Sequence, residues 1–203
     1  MPRTIINIAS IVFVLTLVAA AQESRSEIGV QGIGLFTQNS NGYSVARSAT
    51  ETGGILASYR YHINRWLSAE TAYGYGRSTQ KFSTNYGAYG QQANLNQVTG
   101  GIVASLPAVA KWKLSPYLLA EGGTLIFNPT GSAYGPAKTG AQSQNRGAFA
   151  YGAGLNLALA KHISLRTEYR GLLYDAPNFQ ISTLGRGTLT HTAQPSVGIV
   201  FRF

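Results

Sequence analysis

Few groups in this chain could carry out chemistry. Cysteine is absent, which removes a thiol nucleophile, a disulfide framework and a thiolate metal site. His162 and Ser164 stand two apart, and a serine hydroxyl becomes nucleophilic when a base lies within reach. No acid stands beside them to orient the imidazole, and the segment has the composition of a polar turn. His191, Ser182 and Asp175 have the types of a hydrolytic trio, but types without convergence make no triad. His62 is a lone histidine near a turn, whereas a metal site needs several converging ligands. The pairs Gly53-Gly54, Gly100-Gly101 and Gly122-Gly123 resemble phosphate loops only superficially: no lysine and no helix follows, and kinks or close strand packing explain them better. The expectation is no catalysis, no cofactor and no metal.

The charges that remain are sparse, and their placement needs a framework. Charged residues make up 11% of the 203 residues, against about 25% in an ordinary soluble domain. Glycine (24) and tyrosine (12) are abundant, as suits twisted strands with aromatic rims. The excess of 16 Lys and Arg over 7 Asp and Glu gives +9, yet the bases are scattered singly, so nucleic acid is not an expected partner.

Residues 1–21 read as a leader, with a cation at Arg3, an apolar run from Ile11 to Val18, and Ala19-Ala20-Ala21 before a cleavage point at Gln22. The apolar run falls short of the roughly 20 residues a membrane helix needs. Residues 22–203 then form one domain. If that domain enters a membrane it must do so as a closed barrel, because an open sheet would leave unpaired backbone groups in hydrocarbon.

From Glu27 the chain breaks into eight alternating runs: 27–38, 51–62, 66–76, 93–106, 114–127, 147–159, 163–174 and 192–203. The connections alternate between long (39–50, 77–92, 128–146, 175–191) and short (63–65, 107–113, 160–162). An even strand count with loops on one rim and tight turns on the other predicts an all-β, eight-stranded antiparallel up-and-down transmembrane β-barrel, its turns toward the periplasm.

Parity assigns the faces. In the last strand Val197, Ile199, Phe201 and Phe203 share one side, with Gln194, Ser196, Gly198, Val200 and Arg202 on the other. The same parity groups Arg60, Glu70, Glu121, Arg166, Glu168, Arg170 and Arg202, and sets Ala57, Tyr59, Tyr61, Leu67, Tyr73, Leu118 and Ile126 opposite. A soluble barrel would put the charged face in water, but a soluble exterior carries many more Lys and Glu. The balanced Arg and Glu set among small and polar residues therefore belongs inside, as a network of ion pairs filling the lumen. Tyr59, Tyr61, Trp66 and Trp112 fall near short turns, where an interfacial girdle would sit.

The ending PSVGIVFRF, with Phe203 terminal and Phe201 two positions before it, resembles the C-terminal strand by which outer-membrane barrels are recognised by their assembly machinery. The segment LNLALAKHISLRTEYRGLLY is similar to the penultimate hairpin of the outer-membrane protein A transmembrane domain, and with YLLAEGG the whole mature chain resembles the small eight-stranded outer-membrane β-barrel family. The resemblance implies a cell outer membrane location, contact with outer-membrane lipids and lipopolysaccharide, and a lumen filled by side chains. The expected role is membrane-structural or surface-interaction. A narrow porin-like channel for small solutes or ions is the alternative, and a lipid A-modifying enzyme the third reading. His162 and Ser164 have the spacing of the lipid A deacylase family, but on the periplasmic rim. The chain ends at the barrel, so a peptidoglycan-binding domain and a tethering role are not expected. Arg47, Arg77, Lys81, Lys138, Arg146 and Arg186 on the loop side would favour acidic surface ligands, and the Tyr, Asn, Gly and Ser of residues 84–94 and 132–145 suit adaptable contact.

Overall fold

The computed structural model describes residues 25–38, 40–42, 45–49, 52–84, 87–108, 113–134, 142–175 and 189–203. The leader expected over residues 1–21 lies outside them, as do Trp112, Lys138, Ser182, Arg186 and the side chains of Arg47 and Lys81.

The strands are β1 (Ser26–Thr37), β2 (Ser40–Gly42), β3 (Val45–Ala49), β4 (Thr52–His62), β5 (Leu67–Thr84), β6 (Gly87–Ser105), β7 (Leu114–Tyr134), β8 (Gln144–Ala158), β9 (Ile163–Asp175) and β10 (Leu189–Arg202). Eight of them close into an antiparallel barrel in the order β1-β4-β5-β6-β7-β8-β9-β10 and back to β1. Closure is what lets a sheet stand in hydrocarbon without unpaired edges. Ser26 and Phe203 exchange backbone hydrogen bonds of 3.1 and 2.9 Å on the rim that also carries the turns at residues 63–66 and 159–162. That rim carries the short turns, and on the sequence expectation it is the periplasmic one.

Two features differ from the sequence expectation. The segment 39–50, expected as a loop, carries the β2–β3 hairpin, and β3 pairs with the upper part of β5 from Ala46↔Ser83 to Ala49↔Gln80. The connection expected over residues 77–92 is mostly strand: β5 and β6 stay paired up to Thr84↔Gly87, and β7 runs on to Tyr134. Beyond the length that a bilayer needs, the sequence loses its apolar alternation while the backbone pairing that satisfies N–H and C=O groups continues. The 21 residues of β7 exceed by about 10 the 9–11 that span a bilayer, a projection of roughly 30 Å along the strand.

Alternation sorts the side chains. Val30, Ile55, Ile102, Val197 and Ile199 point outward and are each more than half exposed, the arrangement a lipid-facing surface requires. The interior is layered. Toward the loop side it is apolar, with Ile33, Leu35, Leu56, Leu95, Leu125, Phe127, Leu172 and Tyr174 in one buried cluster. Below it lies a charged layer. The sequence expectation of mainly small and polar residues beside the charges missed this apolar layer, because both parities of segments such as VQGIGLF are apolar and the binary pattern is locally blank.

Glycine serves close approach at Gly101 and Gly123, where a Cβ would overlap the backbone of the neighbouring strand at Ala120 and Val98. In the β1–β10 ladder the register skips the two steps between Ile33↔Ser196 and Phe36↔Ala193, which include Pro195, and proline has no N–H to donate.

Candidate functional site

The charged layer is assembled by register. Arg60 on β4 stands directly across from Glu70 on β5, both facing inward, and Arg60 Nε donates to Glu70 Oε2 at 2.6 Å. On β9 the inward residues Arg166, Glu168 and Arg170 follow one another at i, i+2 and i+4, bringing alternate charges into the same interior. Arg170 is the hub. Its Nη2 donates to Glu70 Oε1 at 2.5 Å, its Nη1 to Glu121 Oε2 at 2.7 Å, and its Nε to Glu168 Oε1 at 2.5 Å. All four side chains are completely buried.

Two residues outside the expected set complete the layer. Glu27, the second residue of β1, accepts from Arg166 Nη2 at 2.7 Å, from Arg202 Nε at 2.9 Å and through a further contact with Arg202 Nη2. It also meets His62 Nε2 at 2.8 Å, and His62 Nδ1 pairs with the Ser68 hydroxyl at 2.8 Å. Tyr117 donates its hydroxyl to Glu168 Oε2 at 2.5 Å, while Arg60 lies over its ring at 4.3 Å and Arg166 at 5.5 Å, so one aromatic ring contacts two guanidinium groups. Opposite this ring stands Gly154, where any Cβ would overlap the tyrosine.

Of the seven charged residues grouped by parity, Arg60, Glu70, Glu121, Arg166, Glu168 and Arg170 are buried, whereas the Arg202 side chain is 47% exposed at the rim. With Glu27, the buried layer holds three arginines and four glutamates, and Arg202 at the mouth brings the tally to four of each. Such a layer is stable only because the partners satisfy one another; removing one member leaves an uncompensated charge. Glu27 was missed because a carboxylate at the start of a strand reads as a solvated end. Tyr117 was missed because tyrosine near a turn reads as girdle, although its parity with Leu119 and Glu121 was available.

The groups weighed for catalysis do not converge. His162 Nδ1 donates to the Arg202 carbonyl at 3.0 Å and its ring lies against Phe201, while Ser164 is the second residue of β9; no hydrogen bond joins His162 to Ser164 among the described residues. His191 Nε2 meets the Tyr151 hydroxyl at 3.1 Å on the outer face, and Asp175 is exposed at the end of β9. Among the described residues no group of three His, Cys, Asp or Glu could hold a metal. Phe201 and Phe203 stack at 6.1 Å between centroids at the periplasmic end of the wall. Of the loop-side bases, Arg77 Nε reaches the Asn94 side chain at 3.4 Å.

Comparison with known proteins places this geometry. No curated protein sequence matches significantly. Among solved structures, Neisserial surface protein A aligns with a TM-score of 0.59 at 14% identity over 89% of this chain and 98% of its own. The outer membrane protein OprG of Pseudomonas aeruginosa gives 0.58 at 11% identity over 88% and 95%. Ail, the attachment invasion locus protein of Yersinia pestis, crystallised with the heparin analogue sucrose octasulfate, gives 0.55 at 17% identity over 90% and 100%. These likenesses establish a shared fold. The family model for the outer membrane protein beta-barrel domain matches residues 8–203. Closed eight-stranded topology, an apolar outer wall and this match agree: the chain belongs to the outer membrane protein beta-barrel family and resides in the outer membrane.

Proposed function

We propose that the protein is a non-catalytic outer-membrane barrel whose lumen is plugged and whose work is done at its surface, as a structural or adhesive element. The observation that carries the plug is the pairing of Arg60, Arg166 and Arg170 with Glu27, Glu70, Glu121 and Glu168 beneath a packed apolar layer. Ions crossing would have to separate buried pairs and then pass Leu35, Leu95, Leu125, Phe127 and Leu172, among which about 10 Å³ remains open. That is no more than the space of one water. Purified protein in planar bilayers is expected to give no steady conductance; large sustained openings would replace this reading with the narrow porin-like channel.

The strands projecting beyond the bilayer support the surface role. β5, β6 and β7 extend as paired sheet, with β2–β3 against β5, which offers a partner a firmer platform than loops. Arg47, Arg77, Lys81 and Arg146 belong to strands of this side, and with Lys138 and Arg186, expected from the sequence on the same side, they favour a polyanion, the class to which the sucrose octasulfate bound by Ail belongs. Removing residues 78–91 with a short turn in their place is expected to leave a heat-modifiable barrel and to lower binding to immobilised heparin; unaltered binding would sink the surface reading. The residues 1–21 leader and recognition of Phe201 and Phe203 by the barrel-assembly machinery belong to the same proposal.

A further inference from the structure

The periplasmic mouth holds a cavity of about 580 Å³, within the roughly 300–1,000 Å³ usual for small-molecule sites. Arg25, Arg60, Arg65, Arg202, His62 and Asn156 are among its walls, and no carboxylate is. The seven acidic residues account for this one-sidedness. Glu27, Glu70, Glu121 and Glu168 are buried in the charged layer, Asp175 lies on the opposite rim, and Glu23 and Glu51 fall outside the described residues. Glu27 holds Arg202 and His62 in place, whereas Arg25 and Arg65 have no carboxylate partner among the described residues.

Arg60 adds an independent observation. Its side chain is 2% exposed and its Nε is held by Glu70, yet Nη2 makes no hydrogen bond, the Glu168 carboxylate standing 3.9 Å from it. A buried guanidinium donor without an acceptor is costly unless something supplies one. Arg60 forms part of the cavity wall. The entrance is amphipathic as well. Asn64 Oδ1 accepts from the backbone N–H groups of Trp66 and Leu67 at 2.8 and 2.9 Å, fixing the tight turn that carries Arg65 over the Trp66 ring. Ile63, Trp66 and Leu106 line the same entrance and are half exposed.

We propose that this mouth binds a phosphate group, held by the guanidinium groups of Arg25, Arg65 and Arg202 above Arg60, with the apolar lip of Ile63, Trp66 and Leu106 receiving the body to which the phosphate is attached. Guanidinium forks match phosphate oxygens, and apolar side chains beside them favour a phosphate carried on a greasy stem, as in an anionic phospholipid of the inner leaflet, over a free one.

The test uses the full chain refolded into detergent micelles, in a Trp112→Phe background so that Trp66 reports alone. Inorganic phosphate and glycerol 3-phosphate are titrated against chloride at equal ionic strength. In parallel, native mass spectrometry follows retention of phosphatidylglycerol against phosphatidylcholine. Selective retention of phosphatidylglycerol is expected, weakened tenfold or more by Arg25→Gln with Arg65→Gln while heat-modifiable mobility persists. Arg25→Glu, at an exposed site, is a second variant expected to act in the same direction. A saturable response to glycerol 3-phosphate without lipid retention supports the phosphate site and assigns it a soluble source. Absence of saturable binding by either probe, or binding that folded variants leave unchanged, overturns the proposal.

Discussion

Arg170→Met is the sharpest probe of the charged layer. This one guanidinium reaches Glu70, Glu121 and Glu168, at 2.5, 2.7 and 2.5 Å, and all four side chains are fully buried. Methionine fills much of the same volume but leaves two buried arginines, Arg60 and Arg166, facing four glutamates. Breaking a buried pair by removing one partner costs about 3–5 kcal/mol. The three contacts share one guanidinium, so the cost is expected to stay within that range rather than triple. At a urea slope of about 2 kcal/mol/M this lowers the unfolding midpoint by roughly 2 M. The assay is urea titration of the barrel in lipid vesicles, followed by the mobility difference between folded and unfolded bands. Glu121→Gln supplies the internal control, since Arg170 is the arginine that pairs with Glu121. The glutamine substitution should be more favourable in the Arg170→Met background than in the parent by about 1–3 kcal/mol, because it removes an orphaned charge. A loss below 1 kcal/mol for Arg170→Met, with no coupling to Glu121, would mean that water solvates these groups and would refute the reasoning.

Other substitutions test separate layers. Val197→Arg, on an outward and half-exposed position of β10, is expected to cost about 2–4 kcal/mol in vesicles, and a neutral effect would place Val197 away from the hydrocarbon. Gly154→Ala drives a methyl into the Tyr117 ring and should destabilise by about 1–3 kcal/mol, with part recovered when Tyr117 is also shortened to leucine. Phe203→Ala keeps the backbone bonds to Ser26, so refolding in vitro should proceed normally while the heat-modifiable band in cell envelopes falls severalfold. Equal loss in both settings would make Phe203 a packing residue rather than a recognition signal.

The barrel was readable because the membrane imposes a strict rule on its wall: every second residue between the rims must be apolar, which exposes strand number, order and face. Arg166, Glu168 and Arg170 could be assigned together since they alternate with Leu165, Thr167 and Tyr169. Above the bilayer that rule lapses, which is why the continuations of β5, β6 and β7 and the β2–β3 hairpin looked like loops. The contacts among inward charges were also hidden. Parity says that Glu70 points inward but not that it meets Arg60 across one strand pair and Arg170 across the lumen, since the latter depends on the diameter of the closed barrel. Glu27 opens the first run as read from sequence, but a carboxylate at a strand end is as compatible with water as with a partner, and only the closed β1–β10 seam brings Arg166 and Arg202 to it.

Glu27 sits 139 residues before Arg166 and 175 before Arg202, and its other neighbour, His62, lies on the adjoining strand. An incomplete barrel therefore has this carboxylate in place while its arginines are still on strands that have not docked. Were the strands to dock in chain order, this carboxylate would stay uncompensated until the last two arrived, and closing the seam would be the step that makes the assembly electrically self-sufficient. Opening the β1–β10 seam would strand the same carboxylate, so insertion and extraction are expected to show hysteresis.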